Sequence, residues 1–207
     1  LYLDFFGFCK AAFPSIPDLA IAKMVAGVDV DLFRPDDELK KLSRLAVSSG
    51  VDGAFESRDP GTIKQALSES DAGRAWLAAW EESCEPWFNF STGSGFYHSD
   101  KIWIQNVEVP FGYIADYIEK VKQGVDLNRP VEALHVERDR VVSEYRELLD
   151  SDEDRAAFDG KLGLSRTVFP YVENHNFYVE HWAHSVICRK MRNIGEVLVA
   201  AGFMNNV

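Results

Sequence analysis

The sequence has little of several features that usually identify a class of protein. Its 207 residues include three cysteines, Cys9, Cys84 and Cys188, which lie far apart and form no Cys-x-x-Cys pair. This spacing excludes a disulfide framework and a cysteine-rich zinc site, and we expect buried, reduced thiols. No apolar run approaches the ~20 residues that span a bilayer. The N-terminus also lacks the basic, apolar and small-residue zones of a signal peptide. We therefore expect a cytoplasmic protein.

Basic residues are also in the minority. The chain has 22 Lys and Arg residues against 33 Asp and Glu residues, which gives a net charge of −11. Binding to nucleic acid or to an anionic membrane requires positive charge, so we expect neither as a partner. The sequence contains no Ser-His-Asp pattern, nucleophile elbow or dinucleotide fingerprint.

Helical periodicity is what the sequence has in abundance. Residues 36–47 carry leucines at 39, 42 and 45 and acidic residues in the first turn, as an amphipathic helix does. Ser70 or Asp71 is expected to cap a helix that runs to Cys84, and a final long helix is expected from about Pro170 to Ala201. The fold class is therefore all-α, an irregular multi-helix domain with one long aromatic-rich loop and a long C-terminal helix. We interpret residues 1–207 as a single helical domain with a softer subdivision near 86–110, cut from a longer polypeptide.

The aromatic-rich loop, residues 86–109, interrupts the helical pattern. It carries Trp87, Phe96, His98 and Trp103, and we expect a short β-ladder around residues 101–105. A long irregular run inside a compact domain is usually functional or flexible. Residues 91–96 have the Ser- and Gly-rich composition of an anion-binding loop, but they lack the terminal Gly-Lys-Ser/Thr of a nucleotide loop. A flexible turn is the alternative.

The stretch from Tyr171 to His184 contains three of the five histidines. Imidazoles move protons near neutral pH, and aromatic rings form the walls of small-molecule pockets. We interpret the stretch as a pocket wall whose imidazoles orient or deprotonate a ligand hydroxyl. The alternative is a solvated helix face with ordinary core histidines. We expect this helix and the aromatic-rich loop to enclose one apolar cavity. The candidate residues on the helix are His175, His181, His184, Phe177, Tyr178 and Trp182.

Two further groups have more than one interpretation. Arg189 and Arg192 follow the histidines by one and two turns, and they could bind phosphate or form salt bridges with the many glutamates. The sequence Glu132-Ala-Leu-His135 has the Glu-x-x-His spacing of di-iron bundles. The final helix offers Glu180 and His184 at a different spacing, so we expect no metal.

Several segments resemble the phosphoenolpyruvate-utilising enzymes, which include phosphoenolpyruvate synthase, rifampin phosphotransferase and phenylphosphate synthase. Residues 189–204 form a basic helix that ends in a turn with Gly195, Leu198 and Gly202, similar to the segment before the phosphohistidine domain of that family. The segments Trp76–Trp80 and Pro86–Asn89 look similar to the substrate-binding region between the nucleotide and histidine domains. The resemblance is specific over about twenty residues and diffuse elsewhere.

The resemblance implies the central, acceptor-binding helical domain of an ATP-dependent phosphotransferase. In the family, an ATP-binding domain phosphorylates a histidine on a mobile domain, and that histidine phosphorylates a substrate on a third domain. The chain contains neither the Thr-Ser-His type motif nor a nucleotide-binding segment, so ATP and Mg²⁺ are expected only in other domains. Its expected partners are those domains and a small hydroxylated compound, aromatic in our interpretation. The bases would be His181 or His184, with His175 as a third candidate.

The alternative from a different class is a non-catalytic helical interaction module. Such a module would have no enclosed cavity and would expose a large apolar patch to its partner.

Overall fold

The computed structural model describes residues 2–91 and 100–206, except for the side chain of Tyr2. Within these ranges it contains helices and turns but no strand, which confirms the all-α fold class. No helix in the same ranges is both long and apolar enough to cross a membrane. The α-helices are α1 Tyr2–Ala12, α2 Asp18–Met24, α3 Arg34–Ser48, α4 Pro60–Ser68, α5 Asp71–Cys84, α6 Glu108–Lys122, α7 Val131–Glu147, α8 Asp152–His175 and α9 His184–Ala200.

The chain forms two compact units. Unit 1 comprises residues 1–31 and 128–175, and unit 2 comprises residues 32–127 and 176–207. The subdivision that we expected near 86–110 does not coincide with this division. The change of composition at 86–110 reflects an aromatic part of unit 2 instead of a linker between units.

Unit 1 is built from two helix pairs, in which α1 packs on α8 and α2 packs on α7. Its core is made of aliphatic side chains and phenylalanines, and the rings of Phe5 and Phe158 lie 5.7 Å apart. The Arg166 guanidinium donates two hydrogen bonds, of 2.9 and 2.7 Å, to the carbonyl of Met24. This carbonyl lies at the C-terminal end of α2, where a helix leaves carbonyl groups without intrahelical partners.

Unit 2 has a core rich in tryptophan. Trp76 and Trp80 are buried on α5, and Phe111 of α6 packs edge-on against both rings. The helices α4 and α5 approach closely at Gly73, where a Cβ atom would lie 1.9 Å from the carbonyl oxygen of Leu67. Only glycine fits there. Ser70 caps α5 as predicted, since its hydroxyl accepts a hydrogen bond of 2.9 Å from the Gly73 amide.

Two local predictions were wrong. Residues 101–105 form a turn, not a β-ladder, and the Trp103 amide donates to the Phe90 carbonyl at 2.9 Å. The expected break before Pro170 is also absent, because α8 continues through this proline to His175. A proline inside a helix removes one hydrogen bond and clashes with the preceding turn, at a cost of about 3 kcal/mol, which favourable packing can offset. The packing of α8 on α1 stabilises the helix on the N-terminal side of Pro170.

The helical path after Pro170 contains a second irregularity. Residues Asn176–Ala183 form a π-helix, which we call the π segment, before the chain continues as α9. A π-helix is uncommon and is found frequently at functional sites. The predicted single C-terminal helix is therefore three consecutive helical parts, of which α8 belongs to unit 1 and the other two to unit 2.

Candidate functional site

The candidate site is built around residues 85–91, which we call the aromatic segment. This segment follows α5 directly, and Phe88 anchors it in the core of unit 2 with its ring 4.7 Å from that of Trp80. Phe88 is fully buried, whereas Trp87 and Phe90 are half-buried. The segment therefore presents Trp87 and Phe90 at the edge of the core.

The π segment packs on these two rings. Phe177 lies with its ring centroid 5.3 Å from that of Trp87, and His181 lies 4.9 Å from Phe90. Phe177 and His181 are four residues apart, so they share one side of the helical path. The structure thus brings together the imidazole-bearing helix and the aromatic loop that we expected to meet, here by direct ring contact.

Beside these rings, the Glu85 carboxylate joins the two elements by hydrogen bonds. It accepts from the indole N–H of Trp182 at 3.0 Å and from the guanidinium of Arg189 at 3.1 Å. Asn89 is a third partner of this carboxylate. Burial alone would raise the pKa of Glu85, but the bonds from Trp182, Asn89 and Arg189 outweigh it and hold the pKa below its ordinary value. Glu85 is therefore ionised at neutral pH.

Among the histidines that the structure describes, His181 has the environment best suited to proton transfer. Its ring is half-buried against Phe90, and burial lowers its pKa below the ordinary value of 6.5, although the Glu180 charge opposes this effect. At pH 7 the imidazole is therefore neutral, the form that accepts a proton.

The other predicted site residues of the helical path lie elsewhere. His184 is exposed, with its Nδ1 atom 3.5 Å from the Glu180 carboxylate. His175 is exposed at the end of α8 and belongs to unit 1. Tyr178 is 38% exposed, and its ring packs edge-on against Phe177. Arg192 is half-buried on α9. Of the three predicted bases, His181 is the one whose ring packs on the aromatic segment, against Phe90.

On the loop, Phe96 and His98 fall outside the described residues, so their predicted roles stay predictions. The predicted wall residue Trp103 is buried, with its ring 5.3 Å from Phe90 and 5.8 Å from Phe88. Phe90 therefore contacts both Trp103 and His181.

A cavity of about 310 Å³ adjoins Phe90 and Trp103. Its remaining lining residues come from the turn before α3, from α3 itself and from α6. None comes from the π segment, contrary to the shared cavity that we expected. Three of them, Asp36, Tyr113 and Tyr117, were missed from the sequence. We had interpreted Asp36 as an acidic residue that stabilises the start of a helix through the helix dipole. Both tyrosines fitted the pattern of an ordinary amphipathic helix. The i, i+4 spacing of Tyr113 and Tyr117 could have indicated that two phenol rings share one side of α6.

The described residues contain no group of three His, Cys, Asp or Glu side chains that could hold a metal ion. His135, which has the di-iron spacing to Glu132, instead donates from Nε2 to the Gly27 carbonyl at 2.7 Å. Burial raises the pKa of Cys9 to about 11 and that of Cys84 to about 12, so both thiols are protonated at neutral pH.

The chemistry available at this site is therefore binding to aromatic surface, acceptance of a proton by a neutral imidazole, and pairing with an anion through a positioned guanidinium. Comparisons of the chain with protein-family models, with curated proteins and with solved structures find no match.

Proposed function

We propose that this chain is the acceptor-binding part of an ATP-dependent phosphotransferase that works through a phosphohistidine relay. The acceptor is a small hydroxylated aromatic compound. The observation that carries the proposal is His181, a neutral, half-buried imidazole held against Phe90. A neutral imidazole beside an aromatic surface is suited to accept the proton that a phenol loses when its oxygen attacks phosphorus.

Arg189 supplies the positive charge that phosphoryl transfer requires. The Glu85 carboxylate accepts from this guanidinium at 3.1 Å and from the indole N–H of Trp182, the neighbour of His181 in the chain, at 3.0 Å. A guanidinium has five N–H donors, so the bond to Glu85 leaves donors for phosphoryl oxygens. In the proposed step the P–N bond of the phosphohistidine breaks, a P–O bond to the acceptor forms, and the hydroxyl proton passes to His181.

A binding experiment tests the role of His181. Isothermal titration with phenol at pH 7.5 should give binding to the wild-type chain, and His181→Ala should weaken it about ten-fold, as loss of one hydrogen bond does. His184→Ala is the matched control, since His184 is exposed and lies three residues away, and it should bind as the wild type does. Equal affinity in all three proteins would remove the base assignment.

A second experiment tests the transfer. With ATP and phenol the chain alone should form no phenyl phosphate, because the proposal assigns the nucleotide site to another domain. Phosphoimidazole, a small analogue of phosphohistidine, should give phenyl phosphate faster with the wild type than with His181→Ala, followed by phosphorus NMR. Identical rates with the two proteins and with buffer would contradict the proposal.

One observation favours the alternative, a helical interaction module. α9 carries Ile187, Met191, Ile194 and Val197, whose exposed fractions are 57%, 61%, 53% and 68%. A row of large apolar side chains at this exposure is typical of a docking surface. Quenching of tryptophan fluorescence by micromolar phenols would support the acceptor site. Absence of quenching, together with self-association in sedimentation, would support the interaction module.

A further inference from the structure

One side of α9 is apolar and lies open to solvent. Ile187, Met191 and Ile194 are each more than half exposed, and Leu198, one turn later, is half-buried. We call these four residues the α9 stripe. The extensive helix pairs of unit 2 join α3, α4, α5 and α6, and within the described residues α9 takes part in none of them. A row of this kind is typical of a surface that docks a partner.

The spacing of the α9 stripe matches a helix that packs against a second helix. Successive members are four, three and four residues apart, which is the a and d pattern of helix pairs. An open groove of about 380 Å³ adjoins Ile194 and Leu198, and its other lining residues are Lys190, Asn193 and Val197. In a helix pair each a or d side chain inserts into a hole on the facing helix, so the groove can accept one. The α9 stripe therefore suits a helical partner.

The α9 stripe is complementary to itself when two such helices run antiparallel. With a two-fold axis at the level of residues 192 and 193, Ile187 lies opposite the partner's Leu198, and Met191 lies opposite the partner's Ile194. All four members are uncharged, so the contact between the helices is apolar throughout. An antiparallel order also separates the two aromatic segments, because each packs on the π segment that precedes α9.

Charge also favours α9 as the contact between two copies. The chain carries a net charge of −11, so most approaches of one copy to another are repulsive. α9 differs from the chain as a whole, because it carries Arg189, Lys190 and Arg192 against one acidic residue, Glu196. Two acidic chains therefore repel each other less when they meet through α9.

The exposed area indicates the strength of this contact. The α9 stripe, together with Val197 beside it, exposes roughly 400 Å² in each copy, so a pair with its flanking residues would bury about 1,000 Å². Interfaces below about 1,200 Å² are typical of weak or transient complexes. The area therefore corresponds to a weak dimer with a dissociation constant in the micromolar range.

From these observations we infer that α9 is an interface between two copies of this chain, which pair through antiparallel α9 helices. The inference goes beyond the proposed function, because it assigns a surface and a partner and does not concern the acceptor. No member of the α9 stripe belongs to the proposed acceptor site.

Sedimentation velocity of the wild-type chain from about 1 to 200 µM tests the dimer. The average mass should rise from that of one chain towards that of two. Ile194→Glu should weaken the association at least ten-fold, because it places a charge in the apolar contact. Val136→Glu, at an apolar residue of α7 that is 63% exposed, is the matched control and should associate as the wild type does. A wild type that stays monomeric, or an equal effect of both variants, would overturn the inference.

Mixtures of variants test the antiparallel order. Ile187→Lys alone and Leu198→Glu alone should be monomeric, whereas their equimolar mixture should associate, because antiparallel pairing brings the two opposite charges together. Ile187→Lys mixed with Ile187→Glu should stay monomeric. The reverse result would replace the antiparallel pair with a parallel one. Association in neither mixture would overturn this pairing of residues.

The dependence on salt separates the apolar contact from other uses of α9. Raising sodium chloride from about 50 to 500 mM should preserve or strengthen the dimer, because salt screens the repulsion between acidic chains. A ten-fold weakening would indicate that the basic residues of α9 bind an acidic surface instead. Binding of a monomeric wild type to phosphatidylserine vesicles, lost in Ile194→Glu, would indicate a membrane contact. Either result would overturn the inference.

The dimer and the acceptor site can fail separately on the same proteins. Ile194→Glu should bind phenol as the wild type does, and His181→Ala should associate as the wild type does. A dimer without phenol binding would keep the α9 interface and remove the proposed function. Phenol binding by a chain that stays monomeric would do the reverse.

Discussion

The two units bury different kinds of interior. Unit 1 has a core of aliphatic side chains and phenylalanine, in which Phe158 packs against Phe5 and Phe13. Unit 2 has a core centred on Trp76 and Trp80. Among the described residues, the two buried side-chain atoms without a hydrogen-bond partner, Asn89 Oδ1 and Trp103 Nε1, both belong to unit 2.

This difference indicates that unit 1 mainly contributes stability, whereas unit 2 carries the groups suited to binding. Long-range polar contacts in unit 1, such as Arg166 to Met24 and His135 to Gly27, satisfy buried or half-buried groups. Unit 2 instead keeps an unsatisfied donor, a cavity and a half-buried neutral histidine. Unpaired polar groups destabilise a core, so they are typical of sites that contact something else.

The largest losses of stability should come from removing a buried ring from the core of each unit. Phe158→Ala in unit 1 and Phe111→Ala in unit 2 remove fully or almost fully buried rings, and each should lower the free energy of unfolding by about 3–5 kcal/mol in urea titrations. Under conditions where both variants stay folded, Phe158→Ala should keep the affinity for phenol, while Phe111→Ala should weaken it. Equal weakening by both would show that binding does not belong to unit 2 alone.

A smaller difference in stability should distinguish two tryptophans of unit 2, one whose indole N–H has a hydrogen-bond acceptor and one whose indole N–H has none among the described residues. Trp76→Phe and Trp103→Phe remove the same atoms from buried positions, but only Trp76 donates to a carbonyl, that of Leu42. Trp76→Phe should therefore destabilise the protein by about 1–3 kcal/mol more than Trp103→Phe. Equal losses in urea unfolding would mean that Trp103 has an acceptor in the unliganded protein.

The smallest effect concerns the dependence of stability on pH. Because the pKa of His181 is lowered in the folded chain, the unfolded chain binds more protons as the pH falls through the ordinary value of 6.5. The wild type should therefore lose more stability between pH 7.5 and pH 5.5 than His181→Gln, measured by urea unfolding. His184→Gln controls for removal of an exposed imidazole. An equal loss in wild type and His181→Gln would contradict a buried, neutral His181.

Much of the local structure was predictable from short-range patterns. The leucines of α3, the Ser70 cap and the proline that begins α4 specify helices through contacts within one or two turns. The expectation that the aromatic segment and the histidine-bearing helix meet rested on their content of rings and imidazoles, and the structure brings Trp87 and Phe90 against Phe177 and His181. The predicted start of the final helix at about Pro170 was wrong, because a proline is typical of the first turn of a helix, whereas here it lies inside α8, which packs on α1.

The amino-acid sequence alone specified an acidic, all-α chain with one group of aromatic residues in the loop before α6 and another along the π segment. Only the tertiary structure selected His181 among three similar histidines, because burial depends on which face meets Phe90. It alone joined Asp36 to Tyr117, which lie 81 residues apart, around one cavity. Helical periodicity encodes which side of each helix is apolar, but the partner across a core is chosen by packing between distant segments.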